Sequence, residues 1–141
     1  MNVTAIEIDP VVHCFAQRYF GLPELRVLYE DGRKFIERAD EKWDIIVHDV
    51  FSGGSVPQSL FTVQMWDAVR QGLTNEGVVA VVIFGPSVNL IQNFLGSSGD
   101  ASVLSIIFTL LTSFDYCRAF RDPFASGEGP SNMVAPQNEP I

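Results

Sequence analysis

Two hydrophobic patterns alternate along the first 120 residues of the chain. Short apolar or β-branched runs predict strands, and apolar residues repeated every three or four positions predict helices between them. The predicted strands cover residues 3–8, 25–29, 43–50, 78–84 and 116–120. Strands that alternate with helices are typical of an α/β fold, in which a mostly parallel sheet carries helices on both faces.

Capping residues mark the predicted helix starts. Asp9-Pro10 combines an N-cap with a proline suited to a first helical turn. The turn signal Asp31-Gly32 opens a second helix, and Ser59 is expected to cap a third helix that ends near Leu73. Two further helices are predicted at residues 87–95 and 103–114. The composition shifts to Pro, Gly, Ser, Asn and Gln after this region, so residues 1–122 are predicted as the domain and 123–141 as a disordered tail.

Charge and composition narrow the function classes. The formal net charge of -8 argues against non-specific binding to nucleic acid or to an anionic membrane, because both need clustered Lys and Arg. No run approaches the roughly 20 apolar residues of a membrane span, and no secretory signal is visible. Cys14 and Cys117 lie far apart in the sequence, which predicts two reduced thiols in a cytoplasmic protein.

Carboxylates lie at the ends of three of the predicted strands. The ends of parallel strands lie on one edge of a sheet, where open α/β sheets bind their ligands. Glu7 is suited to accept both hydroxyls of a ribose or to cap the next helix, and Asp31 is suited to a ligand or to an ordinary turn. Asp49 follows an apolar run, and its two interpretations are a partly desolvated general base and a structural carboxylate that accepts backbone N–H groups from residues 52–55.

Several other chemistries fit the sequence poorly. The two His and two Cys residues lack metal-ligand spacing, so no metal site is predicted. His48 and Asp49 do not form part of a triad, because neighbours on a strand point to opposite faces. The absence of a G-x-G-x-x-G motif counts against a nicotinamide-dependent enzyme.

Four segments resemble a known family. In order, AIEIDPVV, YEDGRKFI, WDIIVHDVFSGGSVPQSLFT and LTNEGVVAVVIFG are similar to the spermidine/spermine synthase group of class I S-adenosylmethionine-dependent transferases. The similarity covers residues 3–85, and the order and spacing of the four segments make it fairly specific. It implies a Rossmann-like fold.

The resemblance also implies a reaction and a set of site residues. The donor substrate would be S-adenosylmethionine or decarboxylated S-adenosylmethionine, the acceptor a small-molecule amine, and the transferred group aminopropyl or methyl. Glu7 would bind the ribose of the donor, and Asp31-Gly32 would lie at the adenine. Asp49 would help to deprotonate the amine, while Pro57 and Leu60 would flank the substrate.

Two departures from the family pattern favour an alternative. No second acid follows Asp49 before Gly53, although polyamine synthases carry one in a D-x-x-D-type loop. The family's first strand and Gly-rich loop stand about 20 residues before the acid-ending strand, and Glu7 leaves no room for them here. We therefore expect a fold that lacks this strand. Exposed strands would then allow a non-catalytic interaction domain or a homo-oligomer.

Overall fold

The computed structural model describes residues 1–50, 57–82, 101–120 and 132–136. For residues 101–103, 119, 120 and 132–136 it describes the backbone alone. The elements in chain order are β1 (Thr4–Glu7), α1 (Pro10–Phe20), β2 (Arg26–Tyr29), α2 (Gly32–Arg38), β3 (Trp43–His48), a 3-10 turn (Gln58–Leu60), α3 (Val63–Gly72), β4 (Leu73–Val82), α4 (Ala101–Ser113), β5 (Arg118–Phe120) and β6 (Asn132–Pro136). They form two compact units, Met1–Ala39 and Asp40–Ile141.

The first unit is a parallel strand pair with two helices. β1 and β2 pair in register, so that Glu7 at the end of β1 lies opposite Tyr29 at the end of β2. The predicted apolar face of α1 is present but is not buried within the unit, and Phe15, for example, is 50% exposed. Ile36 of α2 is the one buried residue of this unit.

Local capping explains the helix boundaries of the first unit. The Asp9 side chain accepts a hydrogen bond from the amide of Val11, which confirms the predicted N-cap of α1. Gly21 ends α1 with a positive φ of 66°, a conformation that glycine adopts without steric cost. Asp31 caps α2 and accepts hydrogen bonds from the amides of Arg33 and Lys34.

The second unit contains a four-stranded sheet in the order β3-β4-β6-β5. β3 and β4 are parallel, whereas β6 lies between β4 and β5 and runs antiparallel to both. The sequence predicts a disordered tail over residues 123–141, and the structure differs there because Asn132–Pro136 forms β6. Backbone pairing with β4 on one side and β5 on the other explains how a short segment in a Pro- and Gly-rich region becomes ordered.

α3 packs against β4 of this sheet on one side and against α4 on another. Val79 and Val81 of β4 are fully buried, as are Trp66 of α3 and Leu110 of α4. Met65, Trp66 and Val69, which the three- and four-residue spacing of apolar positions predicts on one face of α3, are buried. The N-cap is Thr62, whose hydroxyl accepts a hydrogen bond from the amide of Met65. The predicted cap, Ser59, lies instead within the preceding 3-10 turn.

The α/β fold with parallel strands and helices is confirmed. The predicted helix at residues 87–95 and the interpretation of residues 52–55 as amide donors lie outside the described residues. Across the described segments, every helix falls short of the length and hydropathy that a membrane crossing requires.

Candidate functional site

Two of the predicted donor-binding carboxylates lie on one edge of the first unit. Glu7 ends β1 and Asp31 follows β2, and because these strands are parallel both residues lie at the carboxyl edge of the pair. One oxygen of Glu7 accepts a hydrogen bond of 2.8 Å from the amide of Asp9. Oδ1 of Asp31 accepts from two amides of α2, at 2.9 and 3.1 Å. Both carboxylates therefore stabilise local backbone.

These structural bonds leave capacity for a ligand. An ionised carboxylate has about four acceptor sites, so one or two amide bonds do not exhaust it. A Cβ added to Gly32 would meet nothing within 4 Å, so the space above this residue is open. The carboxyl edge therefore offers carboxylate acceptors of the kind that bind ribose hydroxyls in open α/β sheets.

A histidine and a tyrosine also meet in the first unit. Nδ1 of His13 on α1 lies 2.7 Å from the hydroxyl of Tyr29, and the ring centroids are 5.8 Å apart. Tyr29 pairs with Glu7 across the strands. The contact therefore ties α1 to the strand ends that carry the carboxylates. Sixteen residues separate the pair, and no spacing pattern in the sequence indicated it.

Asp49 and His48 of the second unit have opposite environments. Asp49 directly follows β3 and is exposed, whereas His48 ends β3 and is only 5% exposed. The buried face of β3 carries the imidazole and the open side carries the carboxylate, as expected for neighbours on a strand. The exposure of Asp49 differs from the partial desolvation that its apolar neighbours suggested.

His48 is a neutral hydrogen-bond donor. Desolvation by burial lowers its pKa from 6.5 to about 4, even though the backbone of Leu60 and the backbone of His48 itself act in the opposite direction. Its Nε2 lies 3.0 Å from the carbonyl oxygen of Leu60. A carbonyl only accepts, so Nε2 carries the proton. Nδ1 is then an acceptor, and within the described part of the chain it is buried without a hydrogen-bond partner.

The predicted substrate residues Pro57 and Leu60 belong to one turn, residues 57–61. The amide of Leu60 donates to the carbonyl of Pro57 at 2.9 Å, and the amide of Phe61 donates to that of Gln58 at 3.1 Å. The carbonyl of Phe61 lies 2.9 Å from the hydroxyl of Thr109 on α4. The structure thus brings Pro57 and Leu60 together and links their turn to β3 through His48.

Aromatic rings surround this link. The ring centroid of His48 lies 4.9 Å from that of Phe61 and 4.8 Å from that of Trp66. Nε1 of Trp66 also donates to Thr109, at 3.1 Å. Sequence reasoning missed His48 and Thr109 as site residues, since their partners lie 12 and 48 positions away.

The chain matches a known protein family over residues 1–94, the spermine/spermidine synthase domain. This chain belongs to that family. A relative from Emericella nidulans, named N-terminal histidine N-methyltransferase, is 37% identical over 142 residues, which cover 95% of this chain and 24% of the relative. A probable polyamine aminopropyl transferase from Bifidobacterium longum is 29% identical over 102 residues, covering 72% of this chain and 22% of that protein.

The fold of this synthase-family chain also agrees with solved structures. A spermidine synthase in complex with the transition-state analogue AdoDATO superposes with a TM-score of 0.73 at 16% identity, over 97% of this chain and 47% of that one. The chain spans about a quarter of the length of the curated relatives named above. The resemblance to the synthase group is therefore confirmed at the level of family and fold.

The described residues of this synthase-family chain contain no group of three or more His, Cys, Asp or Glu side chains arranged to hold a metal ion. The residues that they do present are carboxylates at strand ends, in the first unit Glu7 and Asp31 and in the second Asp49. Such groups bind hydroxyls and accept protons.

Proposed function

We propose that this chain forms part of an S-adenosyl-dependent transferase that alkylates an amine nitrogen. The carrying observation is the pair of carboxylates, Glu7 and Asp31, on one carboxyl edge of a chain that matches the synthase family over residues 1–94. In this proposal Glu7 accepts the ribose hydroxyls of the donor. Asp31-Gly32 lies at the adenine, and the absence of any atom within 4 Å of a Cβ added to Gly32 is consistent with a ligand at this position.

The reaction is a displacement at a carbon attached to the donor's sulfonium. The amine lone pair forms the new N–C bond, the C–S bond breaks, and its electron pair leaves with the thioether. The proton lost from the amine goes to Asp49, whose exposed position after β3 leaves it accessible to an acceptor. Pro57 and Leu60 would flank that acceptor. Such catalysis depends mainly on positioning and on a neutral amine.

Methyl transfer from S-adenosylmethionine is the favoured form of this reaction. The relative named N-terminal histidine N-methyltransferase aligns with 95% of this chain at 37% identity. The segment Asp49-Val50-Phe51-Ser52 also lacks the second acid that would favour a dicationic diamine. Aminopropyl transfer from decarboxylated S-adenosylmethionine is the second candidate, since the family match and the Bifidobacterium longum relative support it.

A two-donor assay on the full-length protein tests both candidates. Each donor is supplied with a peptide that begins with histidine or with a diamine, and products are identified by mass. We expect a methylated amine from S-adenosylmethionine. An aminopropyl product from the decarboxylated donor would select the second candidate. No product from either donor, together with no heat on titration with S-adenosylhomocysteine at millimolar concentration, would exclude a transferase.

A non-catalytic interaction domain is the alternative. β3 lies at an end of its sheet, and Ile45 and Val47 on one of its faces are 59% and 62% exposed. An exposed apolar edge strand is suited to pairing with another chain or with a second copy of this one. Light scattering distinguishes the cases, because a clean monomer at high concentration contradicts self-association.

A further inference from the structure

Two consecutive carbonyl groups of the 57–61 turn are held from two different elements. His48 at the end of β3 donates to the carbonyl of Leu60. The single hydroxyl proton of Thr109 on α4 is shared between the carbonyl of Phe61 and that of Ile106 within α4, each 2.9 Å away. We propose that His48 and Thr109 are positioning residues that hold this turn in place, a pair that we call the carbonyl clamp. The acceptor amine would then bind against a fixed surface next to Asp49, which follows β3. This inference rests on the proposed transferase function.

The side chains of His48 and Thr109, the two donors of the carbonyl clamp, both contact the indole of Trp66. Trp66 donates its N–H to Thr109, and its ring lies against the imidazole of His48, with centroids 4.8 Å apart. Trp66 is fully buried and Phe61 is 7% exposed, so the contacts are largely shielded from water. Hydrogen bonds in such surroundings are stronger than in water and hold geometry well.

The unpartnered Nδ1 of His48 indicates what the imidazole is for. Burying an acceptor without a donor destabilises a fold, and an apolar side chain at this position would avoid that cost. A leucine or phenylalanine would supply apolar contacts to the rings of Phe61 and Trp66 without burying a polar atom. Only a side chain with a hydrogen-bond donor holds the carbonyl of Leu60, and this bond accounts for the presence of a polar ring in an apolar cluster.

The clamp connects the two halves of the proposed acceptor site. His48 is covalently adjacent to Asp49, the proposed base, and its side chain holds Leu60, a proposed substrate residue. A shift of the turn away from β3 would therefore change the distance between the base and the acceptor. Reactions that depend on near-attack geometry are sensitive to displacements of about 1 Å.

Amide hydrogen exchange of the full-length protein at pH 7 tests the clamp directly. His48→Phe keeps an aromatic ring without an N–H donor, and Thr109→Val keeps the branched shape without a hydroxyl. Each variant is expected to speed exchange within residues 58–62 at least about fivefold, because each loses a bond to a turn carbonyl. Thr109→Val also leaves the N–H of Trp66 without its acceptor, so its effect should be the larger. Exchange within residues 78–82 of β4 should be unchanged. His48→Gln and Thr109→Ser, which keep a donor, should resemble the wild type.

Two outcomes of this exchange experiment overturn the clamp. Equal acceleration in residues 58–62 and in β4 would show that the side chains only support global stability. Wild-type exchange in both His48→Phe and Thr109→Val would show that the hydrogen bonds do not hold the turn.

A transfer assay separates the clamp from the proposed function. His48→Phe should raise KM for the amine about fivefold while leaving the Kd of S-adenosylhomocysteine unchanged, and His48→Gln should restore KM. An unchanged KM in His48→Phe would overturn the role in acceptor positioning. If the wild type transfers no group from either donor, the proposed function fails, and the exchange rates still decide whether the clamp exists.

Discussion

The imidazole Nε2 of His48 donates to the carbonyl oxygen of Leu60 across 3.0 Å, although twelve residues separate the two. Burial lowers the pKa of His48 to about 4, so the ring is neutral at pH 7 and provides one donor, which Leu60 occupies. The link joins the strand end that precedes Asp49 to the turn that contains Pro57 and Leu60. A buried histidine thus joins two parts of the proposed acceptor site.

The same burial makes stability depend on pH. Between about pH 6.5 and 4 the unfolded chain protonates this histidine while the folded chain does not, so stability falls as the pH falls through that window. The stability that neutral His48 contributes is fully present above pH 6.5, the pKa of histidine in the unfolded chain. The loss of stability grows no further below about pH 4, where it amounts to about 3 kcal/mol at most. Urea denaturation of the wild type and of His48→Phe between pH 7 and pH 4 measures this. Parallel pH curves for the two proteins would contradict the assignment.

Replacing the proposed base should abolish transfer and spare donor binding. Asp49→Asn in the full-length protein is expected to lower kcat at least about 100-fold, since general base catalysis contributes that much or more. The Kd of S-adenosylhomocysteine, measured by calorimetry, should not change. Asp44→Asn is the matched control, because Asp44 is an exposed acid on the strand that precedes Asp49, where it accepts a hydrogen bond from the hydroxyl of Thr74. Transfer that survives in Asp49→Asn would show that the assigned role is wrong.

The two roles of Asp31 are separable. Asp31→Ala removes the N-cap of α2 and should destabilise this helix by about 1 kcal/mol, seen as faster amide exchange in residues 33–38. Asp31→Asn keeps an oxygen for the two amides and should preserve stability while weakening nucleoside binding, because the negative charge is lost. Equal nucleoside affinity in Asp31→Asn and the wild type would leave Asp31 with the capping role alone.

Gly77 is required by close packing. A Cβ at this position would lie 2.9 Å from the carbonyl oxygen of Trp43 and 3.0 Å from both Cβ of Leu73 and the amide nitrogen of Thr74. Two of these atoms belong to the backbone, so Gly77→Ala should lower the free energy of unfolding by about 1–3 kcal/mol. Gly32→Ala is the control, since its added Cβ meets nothing within 4 Å. Denaturant midpoints of the two variants give the comparison, and equal midpoints would argue against the close approach.

The two cysteines should differ in reactivity. Burial raises the pKa of the Cys117 thiol, which reduces the fraction of reactive thiolate, whereas Cys14 is exposed on α1. Alkylation with iodoacetamide at pH 7, followed by peptide mass analysis, is expected to modify Cys14 first. Faster modification of Cys117 would contradict its placement in the structure.

The candidate site was only partly visible in the sequence. Glu7, Asp31 and Asp49 were found because each follows an apolar strand run, and the edge of a parallel sheet is a known location for ligands. Pro57 and Leu60 were indicated only by the family resemblance. Thr109 gave no signal, because a threonine within an apolar helix resembles any other polar position until its partner Phe61 is known.

The sequence by itself determined the features that depend on a few neighbouring residues. Asp9 and Asp31 cap helices through amides two or three positions away, and hydrophobic periodicity located the buried face of α3. Tertiary structure alone decided that β6 inserts between β4 and β5 and that His48 reaches Leu60. Such contacts form only when distant segments meet, because backbone groups and side chains then find partners that no local pattern specifies.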